Sequence, residues 1–407
     1  MRNQSTSNMQ RLHRFFYILT FILLAAHGAA NRYTVIVSLD GCRYDYAQAY
    51  NTPFFSQMAH EGVSAEMRPS FPSSTFPNHY TLATGLVPDH HGIIANRFTD
   101  KATGLVFSLS DKRTKQNPRF WGGEPIWQTL ARQGLRTGVV YWPGSDVAVN
   151  GKYPTYYKDY EQRPLLTFTA RIAEVLRLLC LPEAERPQLV MAYFEEPDHS
   201  GHTYGPLSPE TRRTVESMDV LMEQLYEGLR ALPIADSINF IVTGDHGMTA
   251  ISAERMVPIA ARLDKAWVGR IDYGIPTLVY THKGCAGKVV SALSGVPHIR
   301  AYLKADVPSH LRYGSNANVG DVVIVPDLGW NIGDRAPHYK GTHGYDPAYS
   351  DMHVMFRAVG PDFKRGYAKP ATFANVDVYS LLCRLAGVAP AKTDGSLDGV
   401  SDMLVRP

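Results

Sequence analysis

Three uninterrupted apolar runs constrain this chain most. Residues 34–39 read Thr-Val-Ile-Val-Ser-Leu, and residues 189–194 and 238–243 are runs of the same kind. A strand wetted on one face alternates apolar and polar residues, whereas a strand covered on both faces reads as a continuous run. The expectation is an α/β fold: a mostly parallel sheet with helices on both faces. Each run also empties into polar residues. The first ends at Asp40-Gly41, the second at Glu195-Glu196-Pro197-Asp198-His199-Ser200-Gly201-His202, and the third at Gly244-Asp245-His246-Gly247. Parallel strands bring their C-terminal ends to one edge, where open α/β sheets hold their ligands.

The rest of the chain fits around that sheet. Residues 137–141 and 352–359 read as further strands, and 124–133 and 376–386 as helices. Residues 167–181 place Ile172, Val175, Leu176 and Leu179 at helical spacing and stop at Pro182. Ser208-Pro209-Glu210 opens a long helix with Met218, Leu221, Leu225, Leu229 and Leu232 along one core-facing stripe. Residues 152–160 hold four tyrosines and read as an aromatic-rich loop. From 249 to 334 the texture changes to short strands (278–282, 298–303, 321–325) and a helix (287–293). That region is expected to be a small α+β cap inserted into a main domain of residues 31–407.

Composition narrows the class. With 407 residues, 19% charged and a formal net charge of +3, nothing suggests a protein that coats a nucleic-acid duplex. Residues 1–30 differ from the remainder: Arg2, Arg11 and Arg14 precede the apolar run 15–26 and the small residues Gly28-Ala29-Ala30. That is the pattern of a secretory signal peptide, and the run is short for a span of ~20 apolar residues. The mature protein is expected to be exported, periplasmic or secreted, with no membrane span. Cys42, Cys180, Cys285 and Cys383 lie far apart, which disfavours a cysteine metal site and leaves three possible pairings.

The chemistry centres on residues 70–92. Pro77 favours the first turn of a helix running toward Gly85, which puts Thr75 just before a helix N-terminus, where an anion such as phosphate is favoured. Thr75 alone would be read as a cap. Asp40, Asp198, His202, Asp245 and His246 stand at strand ends, and His343 follows the insertion in Gly341-Thr342-His343-Gly344. Carboxylates with imidazoles suit zinc or a similar ion. With Thr75 these make seven groups, too many for one tetrahedral ion and a natural set for two, the arrangement used for in-line phosphoryl chemistry. His79, His90 and His91 are assigned to packing and hydrogen bonding, and His199 is out of phase with Asp198 and His202. Asp198-x-x-x-His202 has the spacing of one helical face, but Ser200-Gly201 and Pro197 favour a loop. Glu195 and Glu196 are read as acceptors behind the ligating imidazoles rather than as solvated turn charges.

These segments resemble the nucleotide pyrophosphatase/phosphodiesterase family of the alkaline phosphatase superfamily. The resemblance rests on Thr75-Phe76-Pro77-Asn78-His79-Tyr80, Glu195 through His202, Gly244-Asp245-His246-Gly247-Met248 and Gly341 through Gly344, in that order. It implies an alkaline-phosphatase-like sheet in a short, catalytic-domain-only form. It assigns one zinc to Asp40, Thr75, Asp245 and His246, and another to Asp198, His202 and His343. Thr75 would be the nucleophile, and Asn96 with the Thr75 backbone N–H would hold a phosphate oxygen. Phe76 and Tyr160 would clasp a nucleobase, with Tyr157 as rival to Tyr160. Trp142 and Asp146 would line the pocket, and Lys115 would meet distal phosphates. The implied activity is hydrolysis of nucleoside triphosphates and dinucleotides to nucleoside 5'-monophosphates. The alternatives are a relative that cleaves choline or phospholipid headgroup diesters, and a non-catalytic metal-binding protein.

Overall fold

Tyr33–Leu39, the first apolar run, is the central strand of a nine-stranded sheet in the computed structural model, which describes residues 32–335 and 337–406. The expected signal peptide, residues 1–30, lies outside the described residues. Leu189–Phe194 and Ile238–Thr243 flank the central strand, both parallel to it, and every residue of the three is buried. Thr137–Val140 and then Tyr156–Lys158 continue the sheet in parallel on one side. Tyr156–Lys158 lies within the segment expected to be loop. On the other side comes Val354–Val359, antiparallel to both its neighbours, then Val63–Arg68, with the short Tyr367–Ala368 and Phe373–Ala374 parallel to the latter. Only Val354–Val359 runs against the rest, so the sheet is mostly parallel.

Alternation along the central strand divides the core in two. Ile36 packs with Tyr80, Leu82, Leu130 and Leu381 on one face. Val35, Val37 and Leu39 pack with Phe55, Val175, Met218 and Leu225 on the other. Each such side chain contributes about 1.5–3 kcal/mol on full burial. The helices behind these contacts include Thr75–Thr84, Ile126–Arg132 and Asp377–Ala386 on the first face, and Pro53–Glu61, Phe168–Leu179 and Pro209–Arg230 on the second.

Between Ile238–Thr243 and Val354–Val359 the chain builds a separate antiparallel sheet. Its order is Val268–Asp272, Thr277–Thr281, Val322–Pro326, Ile299–Leu303. The Ala286–Leu293 helix covers it, and Val279, Val289, Leu293, Val322 and Ile324 share a core of their own. Asp89, in the short helix Pro88–His91, holds this region by accepting the backbone N–H groups of Gly314, Ser315 and Asn316 at 3.0, 2.7 and 3.1 Å. All four cysteines are unpaired. Among the described residues no helix is long and apolar enough to cross a membrane.

Candidate metal centre and adjoining cavity

Thr75 is the first residue of its helix, Thr75–Thr84, two positions ahead of the start expected at Pro77. Asn78 explains the earlier start: its backbone N–H closes the first turn on Ser74 O at 3.0 Å, and its Nδ2 donates to the same oxygen at 2.9 Å. Ser74 is extended at the N-cap and makes no side-chain cap bond, so its hydroxyl satisfies no first-turn N–H. The Thr75 hydroxyl stands 3.1 Å from His246 Nε2.

Around it the strand ends converge. His246 Nε2 lies 3.4 Å from Asp40 Oδ1 and 3.1 Å from Asp245 Oδ2. His202 Nε2 lies 3.4 Å from Asp198 Oδ2, and His343 Nε2 3.7 Å from Asp198 Oδ1. The groups fall into two sets, Asp40–Asp245–His246 and Asp198–His202–His343, each compact enough to hold one ion.

The imidazoles are oriented alike. Nδ1 of His246, His202 and His343 faces the backbone oxygen of Gly247, Gly341 and Ser73, at 2.8, 2.8 and 3.0 Å. A carbonyl only accepts, so each Nδ1 carries a proton, and in the neutral ring each Nε2 offers a lone pair to the site. Lone pairs at 3.1–3.7 Å from carboxylate oxygens repel unless a cation lies between them. The carboxylates agree: Asp40 Oδ1, Asp198 Oδ1 and Asp245 Oδ2 are buried with no hydrogen-bond partner. Leaving such atoms unpaired is costly, and these donor sets fit divalent cations.

Electrostatics without a cation are unfavourable. Burial, then the charges of Asp245 and Asp198, push the Asp40 carboxyl well above the usual range. Burial likewise raises Asp198 and drives His343 well below an ordinary histidine.

A cavity of about 240 Å³ adjoins Thr75, Asp40 and Asp198, and Phe76, Lys115, Trp142, Asp146 and Tyr160 share its lining. Phe76 packs near Trp121 and Phe107, with centroids at 6.0 and 6.4 Å. Tyr160 meets Tyr141 edge-on at 5.5 Å. Tyr157 stands outside this lining, stacked on Tyr153 at 4.9 Å. Trp142 Nε1 donates to His79 O at 3.0 Å, and Gln116 donates to Asp146 at 2.9 Å. Asn96 Oδ1 accepts the Phe76 N–H at 3.1 Å, which turns its Nδ2 donors the other way.

Two expectations change. The Asp198–Tyr204 segment is a helix, not a loop. Pro197 precedes it at the N-cap, and Gly201 lets it lie against Met248 and Gly341. Glu195 and Glu196 do not hold the imidazoles: Glu195 pairs with buried Arg171 at 3.0 Å, and Glu196 accepts the Ser200 N–H at 3.0 Å. Lys115 is 7% exposed, paired with Glu161, and 6.0 Å from the Tyr160 ring. It shares the cavity lining with Thr75, Asp40 and Asp198.

Two supporting residues were not singled out as such. Tyr193 donates to Asp40 Oδ2 at 2.7 Å. His79 places Nδ1 2.9 Å from Thr75 O and 3.3 Å from Asp245 Oδ2, with Nε2 2.8 Å from Ser38 Oγ. A tyrosine one residue before the end of a buried run is the only sequence signal for the first. His79 follows the Thr75 turn by four residues, which puts it on the same helical face.

Residues 34–346 match the family model described as type I phosphodiesterase/nucleotide pyrophosphatase. The chain is 37% identical over 395 residues to a venom phosphodiesterase of Macrovipera lebetinus, covering 92% of this chain and 45% of that one. It is 35% identical to Homo sapiens ectonucleotide pyrophosphatase/phosphodiesterase family member 1, covering 92% and 42%. The chain thus spans about half the length of the curated relatives it matches. Among solved structures, murine ectonucleotide pyrophosphatase/phosphodiesterase 5 superposes with a TM-score of 0.86 at 34% identity, covering 92% of this chain and 100% of that one. An inactive threonine-to-alanine variant of that murine protein was solved in complex with AMP, with the same TM-score and coverage.

Proposed function

Because the chain belongs to the type I phosphodiesterase/nucleotide pyrophosphatase family, we propose that it is an exported two-zinc hydrolase. Its substrates are nucleoside triphosphates and dinucleotides, and its product is a nucleoside 5'-monophosphate. The observation that carries this reading is the position of Thr75. Its hydroxyl is 3.1 Å from His246 Nε2, and it borders the cavity that Phe76 and Tyr160 share.

Asp40, Asp245, His246 and Thr75 would hold one zinc, and Asp198, His202 and His343 the other. When bound, the two ions lower the pKa of a coordinated hydroxyl and neutralise charge on the phosphate oxygens. Thr75 Oγ attacks phosphorus, the leaving oxygen departs on the opposite side with the bonding pair, and a nucleotidyl-threonine forms. Water then attacks the same phosphorus and regenerates Thr75. Asn96 Nδ2 and the Thr75 backbone N–H donate to a non-bridging oxygen as charge builds there. Phe76 and Tyr160 clasp the base, and Trp142, Asp146 and Lys115 bound the far end of its pocket.

A trimethylammonium headgroup would want an aromatic cage with acidic neighbours; the sharing of one cavity by Phe76 and Tyr160 favours a planar base instead. Export rests on the signal-peptide pattern of residues 1–30 and on relatives named as venom and ecto-enzymes. Product analysis with zinc-loaded protein and ATP tests the function. AMP with pyrophosphate is expected. ADP with phosphate would indicate cleavage at the terminal phosphate, and no turnover would favour headgroup diesters.

A further inference from the structure

The groups around Thr75 do not all face one cavity. Thr75, Asp40 and Asp198 border the smaller one, whereas His202, His343 and Asn96 border a second of about 720 Å³. In an in-line displacement the leaving oxygen departs opposite the nucleophile, and the residue set lacking the nucleophile would hold the cation that neutralises it. That set is Asp198–His202–His343, and two of its three members line the second cavity. The leaving group therefore belongs there.

The lining shows what kind of leaving group fits. Tyr273 and Tyr339 are 40% and 43% exposed, and Ile275 and Met256 supply apolar surface. Arg97 and Arg335 border the same space. Tyr339 stands edge-on to His202, with centroids 5.7 Å apart, which ties it to the metal-ligating helix. Pyrophosphate alone would use only the arginines. Two accessible phenol rings beside apolar surface suit a planar heterocycle, and the volume lies within the roughly 300–1,000 Å³ of small-molecule sites.

Building on the nucleotide reading of the smaller cavity, we propose that the second cavity is a half-site for the leaving nucleoside. Tyr339 and Tyr273 stack on its base, and Arg97 and Arg335 meet its phosphates. The favoured substrates are then dinucleotides joined through a pyrophosphate or longer phosphate bridge. The Thr75 Oγ–P bond forms as the P–O bond to the bridge breaks. The pair goes to the bridge oxygen, the threonine proton to solvent, and the second nucleotide leaves from this cavity.

The test is calorimetric binding of AMP, ATP and diadenosine tetraphosphate to the zinc-loaded Thr75→Ala protein. The dinucleotide is expected to bind about tenfold more tightly than ATP, from stacking of its second base. Adding Tyr339→Ala should remove that advantage and leave AMP affinity within about twofold, whereas Tyr339→Phe should keep the advantage. Equal affinities for ATP and the dinucleotide, or an equal loss for AMP in Tyr339→Ala, would overturn the half-site while leaving the base pocket standing. Failure of AMP itself to bind would overturn the nucleotide reading, and the half-site with it.

Discussion

The ring of His246 lies flat against that of His343, with centroids 3.6 Å apart and planes 16° apart. The two residues belong to different ligand sets, so the sets share a wall. Each Nδ1 is committed to a backbone carbonyl, so both Nε2 lone pairs remain for ligation. Two protonated imidazoles would repel at this distance, and two neutral ones beside orphaned carboxylate oxygens leave acceptors facing acceptors. A divalent cation in each set would resolve both problems.

Tyr193 should matter through Asp40. Its hydroxyl donates to Asp40 Oδ2 and leaves Oδ1 for a metal. Tyr193→Phe removes one hydrogen bond and little volume. Zinc affinity at the Asp40 set should fall about 10–100-fold, the usual cost of losing such a support. Competition with a chromogenic chelator measures it, and unchanged affinity would remove Tyr193 from this role.

The base pocket should depend on Tyr160 and not on Tyr157. Base–aromatic stacking contributes about 1–3 kcal/mol. Tyr160→Ala should therefore lower kcat/KM for ATP at least about fivefold, with a smaller effect on bis(p-nitrophenyl) phosphate. Tyr157 is stacked on Tyr153 outside the cavity, and its alanine variant should match wild type on both substrates. Equal losses on the two substrates in Tyr160→Ala would contradict the assignment.

The apolar runs and the polar groups at their ends were legible because a strand buried on both faces leaves a contiguous signature. Val63–Arg68 left a weaker signature, an alternation only six residues long whose middle apolar position is the small Ala65. The Asp198–Tyr204 helix was hidden by a glycine required for close packing: a Cβ on Gly201 would sit 3.1 Å from Met248 Cε. The placement of Lys115 beside Glu161 depends on a partner 46 residues away, which local pattern does not reveal. The roles of Tyr193 and His79 are likewise visible only once Asp40 and Asp245 stand beside them.

His91 predicts a pH dependence of stability. Burial lowers its pKa to about 3, and its Nδ1 accepts the Ile93 N–H at 3.2 Å, which fixes the neutral ring. An unfolded histidine takes its proton near pH 6.5, so below that pH the unfolded state binds more protons. The contribution of His91 is full above about pH 6.5 and falls by about 1.4 kcal/mol per unit toward pH 3. In urea titrations the stability difference between wild type and His91→Gln should be largest at pH 7 and shrink by pH 5. A difference independent of pH would contradict it.

The nucleophile is tested most directly by zinc-loaded Thr75→Ala turning over bis(p-nitrophenyl) phosphate, with metal content measured on the same sample. The ligands other than Thr75 remain, so both ions should stay bound while the rate falls by roughly a thousandfold or more. Turnover within about tenfold of wild type at full metal occupancy would show that another group attacks phosphorus.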